Sequence, residues 1–457
     1  MSARVLRSNV SVYLVVGCLI AASASLAGST AQAQVGGIAL ATTRAVGGVS
    51  IEPDGVLENT TVEAVGLLRR LRAEAMQPVP EDLRVSSPLR KVSLRRLDEA
   101  IDRHDRQGVE LPDEVKYLAG LTQVRYVFVY PEENDIVLAG PGEGWTLDAR
   151  GTVVGVDSGR PVMLLDDLLV ALRTARGAAQ TGISCSIDPQ PEGLMRTRQF
   201  VASLSTINDP AAVAAQIEQL LGPQVISLHG VPPTSHFARV MVAADYRMKR
   251  IAMQFEPSPV RGLPSFMQML SVRGSGSMMP RWWLAPDYDG VLRDEEGLAW
   301  ELVGSGVQAM TEESYLSAAG QIEQSGRADP TAQRWADLMT THYEALSLAD
   351  PVFGQLRNCM DLAIVGALIV KEDLAGRAQA RFTTLLDEDR LGTEEYAAPR
   401  QVASQANILR RGRTWLINYS GGVDIPSWEI ADRTEQSPAL TPLHREARAG
   451  GERWWWD

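Results

Sequence analysis

The stretch Gln224-Val-Ile-Ser-Leu-His229, Gly230-Val-Pro-Pro-Thr-Ser235, His236-Phe-Ala-Arg-Val-Met-Val-Ala-Ala-Asp-Tyr-Arg-Met248 decides the fold. Its first part is a short β-branched, apolar run of the kind that forms a strand, predicted over Gln224–Leu228. Its last part puts Phe237, Val240, Met241, Ala244 and Met248 on one face of a helix predicted over Ser235–Met248. Between them Pro232 and Pro233 fit neither period, and Thr234 or Ser235 can accept from the free amides of the first turn. A strand feeding a helix through a tight turn is the building unit of mixed α/β sheets.

The same alternation continues on both sides. Strands are predicted at Val124–Tyr130, Asp135–Ala139, Thr152–Val156, Gly182–Ile187 and Arg250–Phe255. Helices are predicted at Asp166–Arg176, Pro191–Leu204 and Pro210–Leu221. Residues 121–256 therefore read as a mixed α/β domain within an α+β chain. Before it, residues 34–120 are mixed and mostly helical. Val62, Val65, Leu68 and Leu71 recur at helical spacing there, and Ser93–Arg106 reads as a solvated amphipathic helix. After it, residues 257–326 combine a Pro/Gly/Ser/Met-rich loop with a short antiparallel meander of Trp282–Ala285, Gly290–Arg293, Leu298–Val303 and Val307–Met310. Residues 327–375 read as a helical hairpin of Thr331–Ala349 and Val352–Leu374, whose apolar run Leu362–Val370 is too short to span a bilayer. Strands at Gln401–Asn407 and Thr414–Tyr419 with a linker fill 376–431, and the polar segment 432–457 reads as a disordered tail.

Arg4 and Arg7 precede the apolar run Val10–Ala27, which is followed by Ala31-Gln32-Ala33. This is the pattern of a secretory signal peptide over 1–33, cleaved after Ala33, and it implies export to the periplasm, the cell envelope or the exterior. Val15-Val16-Gly17-Cys18 fits a loose lipobox, which leaves lipidation of Cys18 open. The 457 residues carry a formal net charge of −12 with no basic block, which argues against nucleic acid and anionic membrane as partners. No transmembrane span is expected after the signal peptide. Cys185 and Cys359 are either a disulfide or two buried thiols.

Catalytic signatures are missing: no Gly-Lys pair of a P-loop, no Gly-x-Ser-x-Gly elbow, no His-Glu-x-x-His. Gly140–Gly144 leads into no helix and reads as a turn. Asp287-Tyr-Asp-Gly290 has the wrong ligand spacing for an EF-hand and reads as a solvated turn. No metal and no cofactor are expected. The strongest polar cluster is His229 and His236 flanking the Pro-Pro turn, able to act as base and electrophile with Asp245 or Asp188 as the carboxylate. Thr234, Ser235 and Arg239 are candidate ligand-binding groups at the helix N-terminus. The competing reading is that His229 ends a buried strand and His236 covers the helix start. Asp245, Arg247, Lys249 and Arg250 read as a salt-bridged surface end. Trp282-Trp283 reads as a partly buried strand pair, while Trp454-Trp455-Trp456 can stack on sugars or dock a partner.

Several linked stretches point further. They are Gly151–Gly155 with Gly159–Arg173, Gly182–Pro189 with Pro191–Gly193, Val231–Arg239 with Ala244–Arg250, and Arg281-Trp282-Trp283. Together, over roughly residues 45–430, they resemble a family of exported planctomycete-type bacterial proteins known only as a domain of unknown function. The resemblance implies export and a common fold, and it carries no catalytic residue across. The function expected is a non-catalytic binding or cell-envelope interaction module whose partner is an envelope protein or glycan. The alternative is an envelope hydrolase using His229 and His236.

Overall fold

The computed structural model describes residues 45–204, 208–270, 277–278, 280–316, 322–324, 326–411, 413–417, 420–448, 451 and 453–457. The leader, its cleavage site and Cys18 lie outside them.

The chain is α+β, built on a large mixed sheet. From one edge to the other its strands are Val49–Ile51, Val56–Asn59, Gln401–Val402, Gln224–His229, Ile183–Asp188, Ser420–Ile425, Pro280–Arg293, Ala299–Leu316, Tyr126–Tyr130, Asp135–Gly142, Ser87–Ser93 and Trp455–Trp456. Among the described residues, every segment read as separate after the leader supplies a strand or packs on this sheet. The middle is one long hairpin, Pro280–Arg293 against Ala299–Leu316, paired from Pro280↔Glu313 to Arg293↔Trp300. The four short strands expected there are thus two long ones. Bulges around Tyr288 bend the ladder without ending it, so Asp287–Gly290 is strand and not turn. Trp282 is fully buried in it.

Ser420–Ile425 enters between this hairpin and Ile183–Asp188, parallel to the first and antiparallel to the second. Its glycines allow the approach. A Cβ on Gly421, whose φ is +135°, would lie 1.6 Å from the Trp282 carbonyl oxygen, and one on Gly422 would lie 1.8 Å from that of Cys185. The helices Leu165–Thr181, His236–Ala252 and Pro351–Lys371 pack on one another beside the sheet. Pro351–Lys371 is long and apolar enough to cross a membrane, but its apolar window is 94% buried in protein, as a core helix is. It approaches Leu165–Thr181 closely at Gly366, where a Cβ would meet the Ala171 carbonyl oxygen at 2.6 Å.

Four other expectations need correction. Arg250–Phe255 is no strand: the helix keeps its period to Ala252 and stops where Gln254 takes φ 62°. The helical hairpin of 327–375 is instead three successive helices, Pro330–Thr341, Tyr343–Ala349 and Pro351–Lys371, with breaks at His342 and Asp350–Pro351. Ser87–Ser93 is a strand that the sequence concealed, because Arg90 and Lys91, both buried, interrupt its apolar alternation. The segment 432–457 is largely ordered rather than a disordered tail. Thr434–Gln436 pairs with Val291–Arg293, Leu440–Glu446 is a helix whose Leu440 packs with Phe128 and Tyr130, and Trp455–Trp456 closes the sheet edge.

Candidate functional site

Ser235 begins the helix that carries the polar cluster. Its Oγ accepts from the Ala238 amide at 3.1 Å and donates to the Pro232 carbonyl at 2.7 Å. His236 is therefore the first helical residue, and its ring is buried at 6% exposure. Its Nδ1 lies 3.0 Å from both oxygens of Asp167, itself buried in the first turn of Leu165–Thr181. Burial works against the imidazolium, but the Asp167 charge and hydrogen bond, with Asp166 behind, more than offset it and raise the His236 pKa. The Cys359 thiol is pushed well above its usual value by its own burial and then by Asp167, to which it hydrogen-bonds. A thiol so placed is unreactive.

The ring borders a chamber of about 20 Å³, room for about one water, shared with Arg72, Arg150, Thr152, Asp350 and Gln355. Its charged groups already have partners. Asp350 takes two bonds from Arg247, at 2.8 and 3.1 Å, and an ion pair from Arg150. Arg72 donates to the Gly151 carbonyl at 2.7 Å. Tyr396 lies against the turn: its ring centroid is 6.2 Å from that of His236 and its amide donates to the Thr234 carbonyl at 2.8 Å. Arg239, 2% exposed, lies over the Tyr396 ring at 5.1 Å and donates to the Ala397 carbonyl at 3.4 Å. Thr234, Ser235 and Arg239 thus hold the turn and the 396–397 segment in place. His229 is exposed at the end of its strand, opposite Ser184, and not beside the buried His236.

Asp245 belongs elsewhere. With Lys249 it is buried rather than exposed on a charged end. Lys249 Nζ donates to Asp245 Oδ2 at 2.8 Å and to the carbonyls of Ile187 and Gly421, each at 3.0 Å, so all three protons are placed. Burial pushes the Asp245 pKa up to about 6, against the pull of Lys249. The pair ties the helix to the strands Ile183–Asp188 and Ser420–Ile425. Asp188 accepts from the Gly421 amide at 3.4 Å, and the carboxylate bonded to His236 is Asp167. Cys185 and Cys359 are both free and buried. No bridge joins them, because Cys185 sits in the sheet near Asp245 and Lys249 while Cys359 is held against Asp167.

Two roomier cavities flank the segment Pro80–Ser87. One, of about 350 Å³, is lined by Leu83, Arg103, Glu114, Arg453, Trp454 and Trp455 among others. It depends on the tail. Arg90, fully buried, grips the Asp457 carboxylate at 2.9 and 3.2 Å and donates to the carbonyls of Val85 and Ala119 at 2.7 and 2.9 Å. The Trp454 carbonyl accepts from the Ser93 amide at 2.8 Å, and Trp456 Nε1 donates to the Ala447 carbonyl at 3.0 Å. The second cavity, of about 280 Å³, includes Ser86, Thr122, Glu143, Asp157, Ser158 and Arg160. Among the described residues no group of three or more His, Cys, Asp and Glu could hold a metal ion.

The sequence reading missed Asp167 and Arg90. For Asp167 a signal existed: Asp166-Asp167 interrupts the otherwise apolar run Val162–Leu172.

The fold is that of an α+β protein whose histidine turn is packed shut and whose open cavities lie beside Pro80–Ser87. A family described as protein of unknown function (DUF1598) matches residues 185–266, from Cys185 in the sheet through the His236–Ala252 helix to Phe266. No curated protein and no solved structure matches the chain.

Proposed function

We propose that this chain is an exported, non-catalytic binding module of the cell envelope, and that its cleft beside Trp454 takes a short peptide with free termini. The leader over 1–33 and the resemblance to exported planctomycete-type proteins support export. The observation that carries the binding reading is the cleft itself. At about 350 Å³ it falls in the range of ligand sites, and it sets an apolar indole wall beside Arg103 and Glu114. Neither side chain makes an ion pair or hydrogen bond among the described residues. One unpaired charge of each sign on the lining of one cleft suits a ligand carrying a carboxylate and an ammonium. Hydrolysis at His236 has Asp167 in its favour, as the group that would orient the ring. The one-water chamber beside the ring leaves such a substrate no room.

The test is calorimetric titration of the mature protein with trialanine, free-ended and then acetylated and amidated. The free peptide should bind, the capped one should not, and Arg103→Ala and Glu114→Ala should each weaken binding about tenfold, the loss of one charge-assisted bond. Equal binding of both peptides, or undiminished binding by Trp454→Ala, would overturn the reading. Undiminished binding by His236→Ala is expected.

A further inference from the structure

The second cavity has a chemistry of its own. Glu143, 5% exposed, is the post on which it is built. Its Oε2 accepts from the amides of Asp157 and Ser158 at 2.6 and 3.0 Å, and its Oε1 accepts from Ser158 Oγ. A Cβ on Gly155 would fall 2.1 Å from Oε1, so the loop 155–160 lies directly over the carboxylate. Asp157, Ser158 and Arg160 are thereby fixed before any ligand arrives, which lowers the ordering cost of binding. Ser86 Oγ donates to Asp157, and Arg160 reaches out to Glu344 at 2.6 Å.

These groups select among ligands. An anion would face two carboxylates, Glu143 and Asp157. A metal ion would find the Glu143 oxygens already taken by the loop. Hydroxyl groups both donate and accept, as sugar hydroxyls need: they can donate to Asp157 or Ser86 Oγ and accept from Arg160. The chain on either side of the lining adds an apolar demand. Val85 and Val156, chain neighbours of Ser86 and Asp157, are 68% and 61% exposed, among the most exposed large apolar side chains described. A polar floor with an exposed valine next in the chain to each of two of its lining residues suits a sugar that also carries a methyl group.

We propose that the cavity lined by Ser86, Glu143, Asp157 and Arg160 is a saccharide site for an N-acetylhexosamine, with ring hydroxyls on Asp157 and Arg160 and the acetamido methyl on Val85 and Val156. It stands without the peptide cleft. Leu83 and Ser86, which face the two cavities, are three residues apart, at most about 10 Å along the chain. One ligand with saccharide and peptide parts can therefore engage both, an extension that rests on the cleft reading.

The test is calorimetric titration with three disaccharides: N,N′-diacetylchitobiose, cellobiose, which lacks the acetamido groups, and chitosan disaccharide, which has free amines. Diacetylchitobiose should bind best. Asp157→Ala should weaken it about tenfold with an unchanged melting curve, and Val156→Ser should erase its advantage over cellobiose. Equal binding of cellobiose, or a preference for the free amine, would overturn the acetamido assignment. Binding that survives Asp157→Ala, or no binding of any sugar, would overturn the site. Trialanine titrated in parallel reports on the cleft separately.

Discussion

Replacing His236 by alanine tests how far the buried Asp167 depends on it. Asp167 is 3% exposed and faces the imidazole with both oxygens at 3.0 Å. Removing one partner of a buried ion pair costs about 3–5 kcal/mol, because the other charge stays buried. Two features reduce that here. Asp167 lies in the first turn of its helix, where the dipole favours a negative charge by up to about 1 kcal/mol. The Cys359 thiol also still donates to it. A net loss of about 2–4 kcal/mol is expected, read from urea unfolding midpoints near pH 6. The pH dependence has a definite sign. Although burial opposes it, Asp167 raises the folded-state pKa of His236 above the ordinary 6.5. The pair's contribution is therefore fully present below about 6.5 and is lost as pH rises through the folded value. The gap between wild type and His236→Ala should narrow accordingly. A double-mutant cycle with Asp167→Asn isolates the pair. A coupling below about 0.5 kcal/mol, the usual scatter of independent sites, would refute the reasoning. So would a stability gap that is the same at about pH 6 and about pH 9.

Asp361, bonded by Tyr288 and buried, has its pKa pushed up to about 7 by burial. Its contribution is present below the ordinary 3.8 and lost as pH rises through about 7, so Asp361→Asn should flatten that slope in calorimetric melts. Arg90→Met should free the tail: cleavage after Arg448 or Arg453 by trypsin should become fast while the wild type resists, and equal rates would show that Arg90 does not hold it. Gly421→Ala should give no soluble folded protein, since its Cβ would lie 1.6 Å from a carbonyl oxygen; a normal circular-dichroism spectrum would contradict the packing. Cys185 and Cys359 should resist a thiol reagent in the native protein and both react after unfolding without reductant, whereas a disulfide-linked peptide would contradict the free thiols.

The strand–turn–helix units of 121–248 were legible because each is short, bounded by Gly or Pro, and apolar at one clear period. Predicted and observed bounds there differ mostly by a residue or two, as for Gln224–His229 and Pro210–Leu221. What lay hidden depends on partners distant in sequence. Asp167 meets His236 across 69 residues, so no local spacing announces the pair. Ser87–Ser93 looks too charged for a strand until Asp457, 367 residues on, arrives to neutralise Arg90. The tail looks disordered by composition, yet Trp455, only 8% exposed, and the buried Arg90 anchor it. The long hairpin was divided at Pro286 and Gly290, two residues that ordinarily end strands and that here sit in or beside a bulge.

The order of strands in the sheet also sets the order in which it can be finished. Ser420–Ile425 fills the place between Ile183–Asp188 and Pro280–Arg293, and Gln401–Val402 the place between Val56–Asn59 and Gln224–His229. Both gaps stay open until residues 401–425 have been made. Pairings this remote give a high contact order, in which loop closure must be met before any contact repays it. Folding of the sheet is then slow, and everything before residue 401 waits as an incomplete sheet until those strands arrive. The topology itself delays the completion of the fold.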